Sequence, residues 1–472
     1  MSQRRSRNLL KGTIIYAIGN LGTKIITFLI VPLYTYYISP DDLGNYDLLV
    51  TTVALFTPII TLRISDAAYR WMLNGIRDNV DCIAATYRVL LISSAVSSAV
   101  ILLVNQFVKI EYCGYFILLL IFGRWLESLQ TLIRGLKKQG LFAASGIIYT
   151  IIFVALNIIK IVLLREGVEA LFQSSIISQI VTIAIILLCA KELRTGFQID
   201  SNSRLLTFEF LKYSAPLVPS GLSWWIMSAS DRYVIRAVLD SSANGIFAIS
   251  SKFPAVVSML FTIINFAWTD LALSDLKDNK ETSNYSSELF SNIYRIAISF
   301  TWILIPATNI AFSLVVSKTY LESADYIGFL YLGAAYQGFT TFISAGLLKN
   351  AKTNSIARSS LVGAVVNLAV DIVAIRFIGL HAASISTFLG FFVMWLLRMQ
   401  DLKKVSPITI NWKEAIATLL LSIAIIGVTL HASMLINFCI LVPAIGFFCI
   451  LNRKTLNSMF KAVMKNDQSV GM

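Results

Sequence analysis

Fourteen apolar runs, each about twenty residues long and separated by short polar segments, recur along the chain. They cover 12–37, 46–65, 83–107, 115–133, 141–164, 168–190, 208–235, 245–269, 289–317, 326–348, 356–377, 380–399, 412–430 and 433–451. At a rise of about 1.5 Å per residue, a helical run of that length crosses the hydrocarbon core of a bilayer. The pattern therefore predicts an all-α polytopic membrane protein with about 14 transmembrane helices.

Polar residues inside these runs are the informative exceptions. The stretch 211–247 is apolar enough to span, yet it carries Asp231, Arg232 and Arg236. A charge deep in a bilayer costs roughly 2.5 to 3.5 kcal/mol on insertion scales, so it faces a bundle interior or a watery cavity unless it can snorkel. Helical spacing puts Ser220, Trp224, Ser228 and Asp231 on one stripe. The first run has its own stripe of Tyr16, Asn20, Thr23, Lys24, Thr27 and Tyr34, with Lys24 near mid-span. A lysine there needs a carboxylate, water or an anionic ligand.

The eighth run shows Ser251, Ser258, Thr262, Asn265 and Thr269 on one face, with Lys252 beside them and Pro254 as a kink. The second run is weaker, with Thr51, Pro58, Thr61 and Ser65, and with Arg63 and Asp66 at its end. Small polar residues also glue helices together, so packing competes with function at the Ser and Thr positions. Arg124 and Glu127 stand three residues apart on one helix face, as a neutralising pair or as functional groups. Lys160 and Asp371 occupy near-equivalent places in helices five and eleven, where snorkelling or pairing competes with function. Trp224 and Trp225 are candidates to line a path, although aromatic residues also form interfacial belts.

Composition supports the membrane reading: 57% of the residues are hydrophobic and 14% charged. The net charge of +13 is carried mainly by loops. One set holds Arg4, Arg5, Arg7, Arg70, Arg77, Arg134, Lys137, Lys138, Lys191 and Arg194, whereas the opposite set holds little beyond Lys109, Arg165, Arg236, Lys318 and Arg376. The positive-inside rule then places both termini in the cytoplasm and requires an even helix count. The first run is too long for a signal peptide and lacks a cleavage pattern, so it reads as a retained span. The five cysteines are scattered without a CxxC pair, and the two histidines leave acid–base catalysis few tools. With no phosphate-binding loop, HExxH or nucleophile elbow in the chain, a transporter without its own ATPase, metal or cofactor is expected rather than an enzyme.

The chain also repeats itself. Leu10, Lys11, Gly44 and Tyr46 are answered by Leu211, Lys212, Gly245 and Phe247 at a constant offset of 201 residues, and Asn157 by Asn367 at 210. Six helices separate the partners, so the halves share one topology about an axis along the membrane normal. The expected organisation is an N-terminal six-helix bundle over 1–200, a second over 201–404, and an extra helix pair with a tail over 405–472.

The segments LLKGTIIYAIGNLGTKIITFLIVPLYTYYISPDDLGNYDLLVT at 9–51 and LKYSAPLVPSGLSWWIMSASDRYVI at 211–235 carry a family resemblance. They resemble the polysaccharide exporters, or lipid-linked oligosaccharide flippases, of the multidrug/oligosaccharidyl-lipid/polysaccharide superfamily. The resemblance implies two facing six-helix bundles plus a C-terminal pair, in a bacterial inner membrane. It also implies a cargo, an undecaprenyl pyrophosphate-linked glycan repeat unit flipped to the periplasmic leaflet for O-antigen or another surface polysaccharide, with a polymerase and a chain-length regulator as possible partners. Lys24, Arg232, Lys252 and Arg124 are candidates for the anionic headgroup, Asn20 and Trp224 for the sugars, and Asp231 and Asp371 for ion coupling. A multidrug antiporter of the same superfamily and a membrane polymerase or glycosyltransferase are the alternatives.

Overall fold

In a computed structural model, each apolar run that is described forms helix, because a segment in lipid must satisfy its backbone hydrogen bonds internally. The structure describes residues 30–75, 77–196, 202–261, 280–350, 352–405, 411–430, 432–453 and 455–457, and no β-strand occurs among them. Among the described residues, eleven helices are long and apolar enough to cross a membrane. Of the three other expected spans, 12–37 is described only from residue 30, 208–235 is broken, and 326–348 forms a helix of 27 residues. Outward positions stay apolar, as at Phe107 (81% exposed) and Phe377 (83%), as a lipid-facing surface requires. The chain divides into two compact units, Met1–Ala248 and Ile249–Met472.

The first unit contains α1 (Val31–Tyr37), α2 (Pro40–Thr61), α3 (Ile64–Asn74), α4 (Asn79–Phe107) and α5 (Cys113–Gly135). It continues with α6 (Gln139–Asn157), α7 (Glu169–Cys189), α8 (Glu192–Thr195), α9 (Asn202–Ser214), α10 (Val218–Ala229), α11 (Asp231–Val238) and the start of α12 (Ser241–Ser250). Its core joins one end of α3, α4, α5, α7 and α9 around Ile64, Met72, Tyr87, Leu129, Leu193 and Phe210. A π-helical turn over Ile158–Leu163 prolongs α6.

Three predicted spans are jointed. The second run extends from α2 into α3 through Leu62 and Arg63, both left-handed (φ 48° and 55°). The seventh is cut into α9, a 3-10 turn at Ala215–Leu217, α10 and α11; Pro216 and Pro219, each without an amide donor, account for the break between α9 and α10. The eighth is interrupted by a turn at 251–254, where Pro254 was expected to kink it.

The second unit contains α13 (Lys280–Val315), α14 (Ser323–Lys349), α15 (Thr353–Ile378), α16 (His381–Lys403), α17 (Trp412–Thr429) and α18 (Met434–Leu451). Helix α16 packs on α14 and α15, and α13 packs on α17 and α18. Between α13 and α17 runs a polar ladder in parallel register. Arg295 Nη2 donates to Glu414 Oε2 at 2.8 Å, Trp302 Nε1 to Ser422 Oγ at 2.7 Å, and Asn309 Nδ2 to the Thr429 carbonyl at 3.2 Å. The rungs recur every seven residues on α13, the period at which two helices keep one seam in contact. Asn452 beyond α18 adds a 2.9 Å bond to Ser299.

Candidate functional site

The joint between α2 and α3 builds a charged site inside the first unit. Pro58 removes one helical hydrogen bond, and Thr61 Oγ1 accepts the Arg63 amide at 3.3 Å while bonding back to the Thr57 carbonyl at 2.9 Å. Two successive non-glycine residues in the left-handed region are unfavourable, and such conformations persist where surrounding structure imposes them. The result aims Arg63 sideways from the span. Its Nε donates to Asp66 Oδ2 at 2.6 Å, and both side chains remain about one-third exposed. Its Nη1 faces Gly221 of α10, where an added Cβ would come within 3.3 Å.

Glu127 on α5 is exposed, and Arg63 and Asp66 are the charges whose fields reach it. Arg124, three residues earlier, points the other way and is 1% exposed. The Arg124–Glu127 pair considered from the sequence is therefore not formed. Arg124 instead donates to the Leu120 carbonyl at 2.6 Å and to Ser97 Oγ at 3.2 Å on α4. Helix α5 places a surface carboxylate on one side and a cation sheltered by neutral dipoles on the other.

The far end of α2 meets the first turn of α12. A Cβ on Gly44 would overlap the Ser241 carbonyl, and one on Gly245 would overlap the Pro40 carbonyl. The 201-residue offset maps Gly44 onto Gly245 and Pro40 onto Ser241, so it exchanges the two pairings and the crossing is locally two-fold symmetric. Only glycine permits so close a backbone approach. Asn244 Nδ2 donates to the Gly44 carbonyl and Ser241 Oγ to Asn45 Oδ1, each at 2.8 Å.

Arg232 completes this junction. Its Nε donates to Asp47 Oδ2 at 3.2 Å, its Nη1 to the Ser228 carbonyl at 3.1 Å, and its guanidinium carbon lies 5.3 Å from the Phe247 ring centroid. Thr52 and Tyr233 share a 2.6 Å hydrogen bond, and Trp225 Nε1 donates to the Thr51 carbonyl at 3.1 Å. Asp231 is buried, whereas Ser228 is exposed and Trp224 half-buried, so the expected stripe breaks at Ser230. Asn20 and Lys24 lie outside the described residues.

The second unit holds Lys252, half-buried at the turn after α12, and Asp371, fully buried on α15. One turn before Asp371, Asn367 donates to Ser386 Oγ at 3.3 Å. Sequence reasoning passed over Arg398, 1% exposed on α16, which donates to Ser344, Ser359 and Ser360 hydroxyls at 2.6, 3.0 and 2.7 Å. It also passed over the role of Arg63; the available signal was an Arg-x-x-Asp step following a proline within an apolar run. Lys160, in the first unit, bonds Glu166 Oε2 at 2.9 Å and Gln173 Oε1 at 2.7 Å.

This arrangement of jointed spans, internal repeat and inward charges has a counterpart in sequence. The pattern of the family described as "Polysaccharide biosynthesis protein" matches residues 9–269, more than half of the chain. The chain belongs to that family. Polysaccharide biosynthesis proteins of this kind share their fold with solved transporters. The lipid II flippase MurJ in an inward closed conformation superposes with a TM-score of 0.70 at 15% identity, over 94% of this chain and 100% of that one. An inward-facing multidrug resistance MATE family transporter of the MOP superfamily gives 0.64 at 15% identity, over 83% and 99%. A MOP superfamily transporter from Pyrococcus furiosus, described by the reverse polarity of its binding pocket, gives 0.52 at 13% identity, over 84% and 95%. No curated protein matches the chain significantly in sequence. At these identities the likeness establishes the fold: this polysaccharide biosynthesis protein is built like a MOP superfamily transporter.

Proposed function

We propose that the protein is a flippase that carries an undecaprenyl pyrophosphate-linked oligosaccharide from the cytoplasmic to the periplasmic leaflet of a bacterial inner membrane, supplying O-antigen or another surface polysaccharide. The observation that carries this reading is Arg63, a cation turned out of a membrane span by a left-handed joint and still solvent-accessible. Asp66 takes its Nε–H, which leaves the outer edge of the guanidinium for a phosphate oxygen. Family membership supplies the glycan, and a lipid carrier accounts for a site that opens within an apolar span.

In this reading Arg63 and Lys24 hold the diphosphate, Asn20 and Trp224 meet the sugars, and Lys252 and Arg124 add positive potential. Arg232 is released from Asp47 when the Gly44–Gly245 crossing parts, so that access alternates between the two faces. The buried carboxylates of Asp231 and Asp371 carry the coupling cation or proton. A polymerase and a chain-length regulator consume the exported unit.

Deletion of the gene tests the reading. Lipid-linked repeat units accumulate facing the cytoplasm while surface polysaccharide disappears, and the wild-type chain restores it. Arg63→Ala, present at normal level in the membrane, restores less than a tenth, and Arg63→Lys an intermediate amount. Repeat units that still reach the periplasm in the deletion strain, or full restoration by Arg63→Ala, would overturn it. The carboxylates Asp66 and Glu127 favour a second reading, export of an organic cation; drug export lost in Glu127→Gln, with surface glycan unchanged, would establish that one instead.

A further inference from the structure

The end of the first unit opposite its arginine- and lysine-rich loops is built from tyrosines and carboxylates. Phe172 of α7 is fully buried beneath three tyrosine rings: Tyr46 at 5.1 Å, Tyr112 at 5.1 Å and Tyr115 at 5.2 Å, the last stacked within 12° of parallel. All three tyrosines remain partly exposed. A hydrogen-bonded chain fixes the platform from behind. Tyr115 Oη donates to Glu169 Oε2 at 2.9 Å and accepts from Gln173 Nε2 at 3.0 Å, and Gln173 Oε1 accepts from Lys160 at 2.7 Å.

The surroundings are acidic. Glu111, Asp42, Glu169 and Asp41 are the charges whose fields raise Tyr112, while Lys160 behind the platform is held by Glu166 and Gln173. Burial and these carboxylates hold the Tyr112 hydroxyl above its ordinary pKa, so it stays a neutral donor. Tyrosines in an interfacial belt neighbour lipid phosphates, which draw lysine and arginine and repel carboxylates. A rim of fixed tyrosines and carboxylates has the opposite preference. It offers ring faces to the C–H faces of a pyranose and oxygen acceptors to its hydroxyls.

From this we infer that Tyr112 and Tyr115, flanked by Glu111, Glu169 and Asp42, form a second substrate site that binds the uncharged sugar portion of the cargo on the acidic side of the first unit. It rests on the flippase reading and adds a landing place for hydroxylated sugar, separate from the diphosphate site at Arg63.

The test uses the full-length protein in nanodiscs and a phosphate-free oligosaccharide released by mild acid from the host's own surface polysaccharide. Binding is followed by saturation-transfer NMR. Wild type binds saturably, Tyr112→Ala weakens binding at least tenfold, and Tyr115→Phe at least threefold. Tyr115→Phe keeps the ring stack, so a loss there with an unchanged melting temperature excludes misfolding. Absence of binding, equal binding by Tyr112→Ala, or competition by calcium ions alone would overturn the inference even if the deletion strain accumulates repeat units. Oligosaccharide binding that survives while the deletion strain exports normally would instead overturn the flippase reading and leave the sugar site standing.

Discussion

Gly44 and Gly245 sit 201 residues apart in sequence and meet backbone to backbone, each against the carbonyl that lies four residues before the other. One matched pair of the repeat becomes a physical contact in which each copy supplies the space its partner needs. Neither backbone can yield as a flexible side chain would. Gly44→Ala and Gly245→Ala should therefore each destabilise the junction by about 1–3 kcal/mol, the usual range for overpacking. Thermal unfolding of the purified protein, together with increased labelling of a cysteine at position 45, measures it; an unchanged melting temperature and labelling rate for both variants would refute the contact.

If the crossing must part during transport, fixing it should stop transport. Asn45 and Ser241 are joined by a 2.8 Å hydrogen bond, which makes them a suitable cysteine pair. In a background without the five native cysteines, Asn45→Cys with Ser241→Cys should cross-link on oxidation, abolish surface glycan, and recover it on reduction. Transport that continues through a fully formed cross-link would show that this junction never opens.

The Asp47–Arg232 pair should be unequal to its parts. Removing Asp47 leaves a nearly buried guanidinium without its carboxylate, a change that costs about 3–5 kcal/mol at buried sites. Asp47→Ala should lower the membrane-inserted amount several-fold, and the exchange Asp47→Arg with Arg232→Asp should recover part of it. A cycle of single and double variants that is purely additive would mean that the pair contributes nothing.

The α13–α17 ladder predicts a local stability effect. Ser422→Ala strands the Trp302 indole N–H in a buried setting, at about 1–3 kcal/mol, whereas Trp302→Phe in the same background should restore most of the loss. Melting temperature in detergent reads both variants, and equal destabilisation by the single and double changes would exclude the hydrogen bond as the cause.

Much of the fold was legible because length and hydropathy nearly suffice to define a span. Of the breaks, only the turn at Pro254 was expected; Pro216 and Pro219 were signals in the seventh run that went unread. The joint at Leu62–Arg63 carries neither glycine nor proline at the left-handed positions, and its local signal, Pro58 four residues upstream, does not fix where the chain turns. Charge partners were harder still. Arg124 and Glu127 share a helix and a three-residue spacing, yet the neighbours of α5 bury one and expose the other. Arg398 relies on serines contributed by two other helices, a relation that no single stretch displays.

Helix α2 carries the glycine crossing near its first turn and the exposed guanidinium just beyond its last. Its 22 residues make a rod about 33 Å long. A rod pivoting between its ends cannot free one tip without displacing the other. In the proposed flippase, parting of the crossing and movement of Arg63 would then be a single mechanical stroke, with the left-handed bend at residue 62 serving as its wrist.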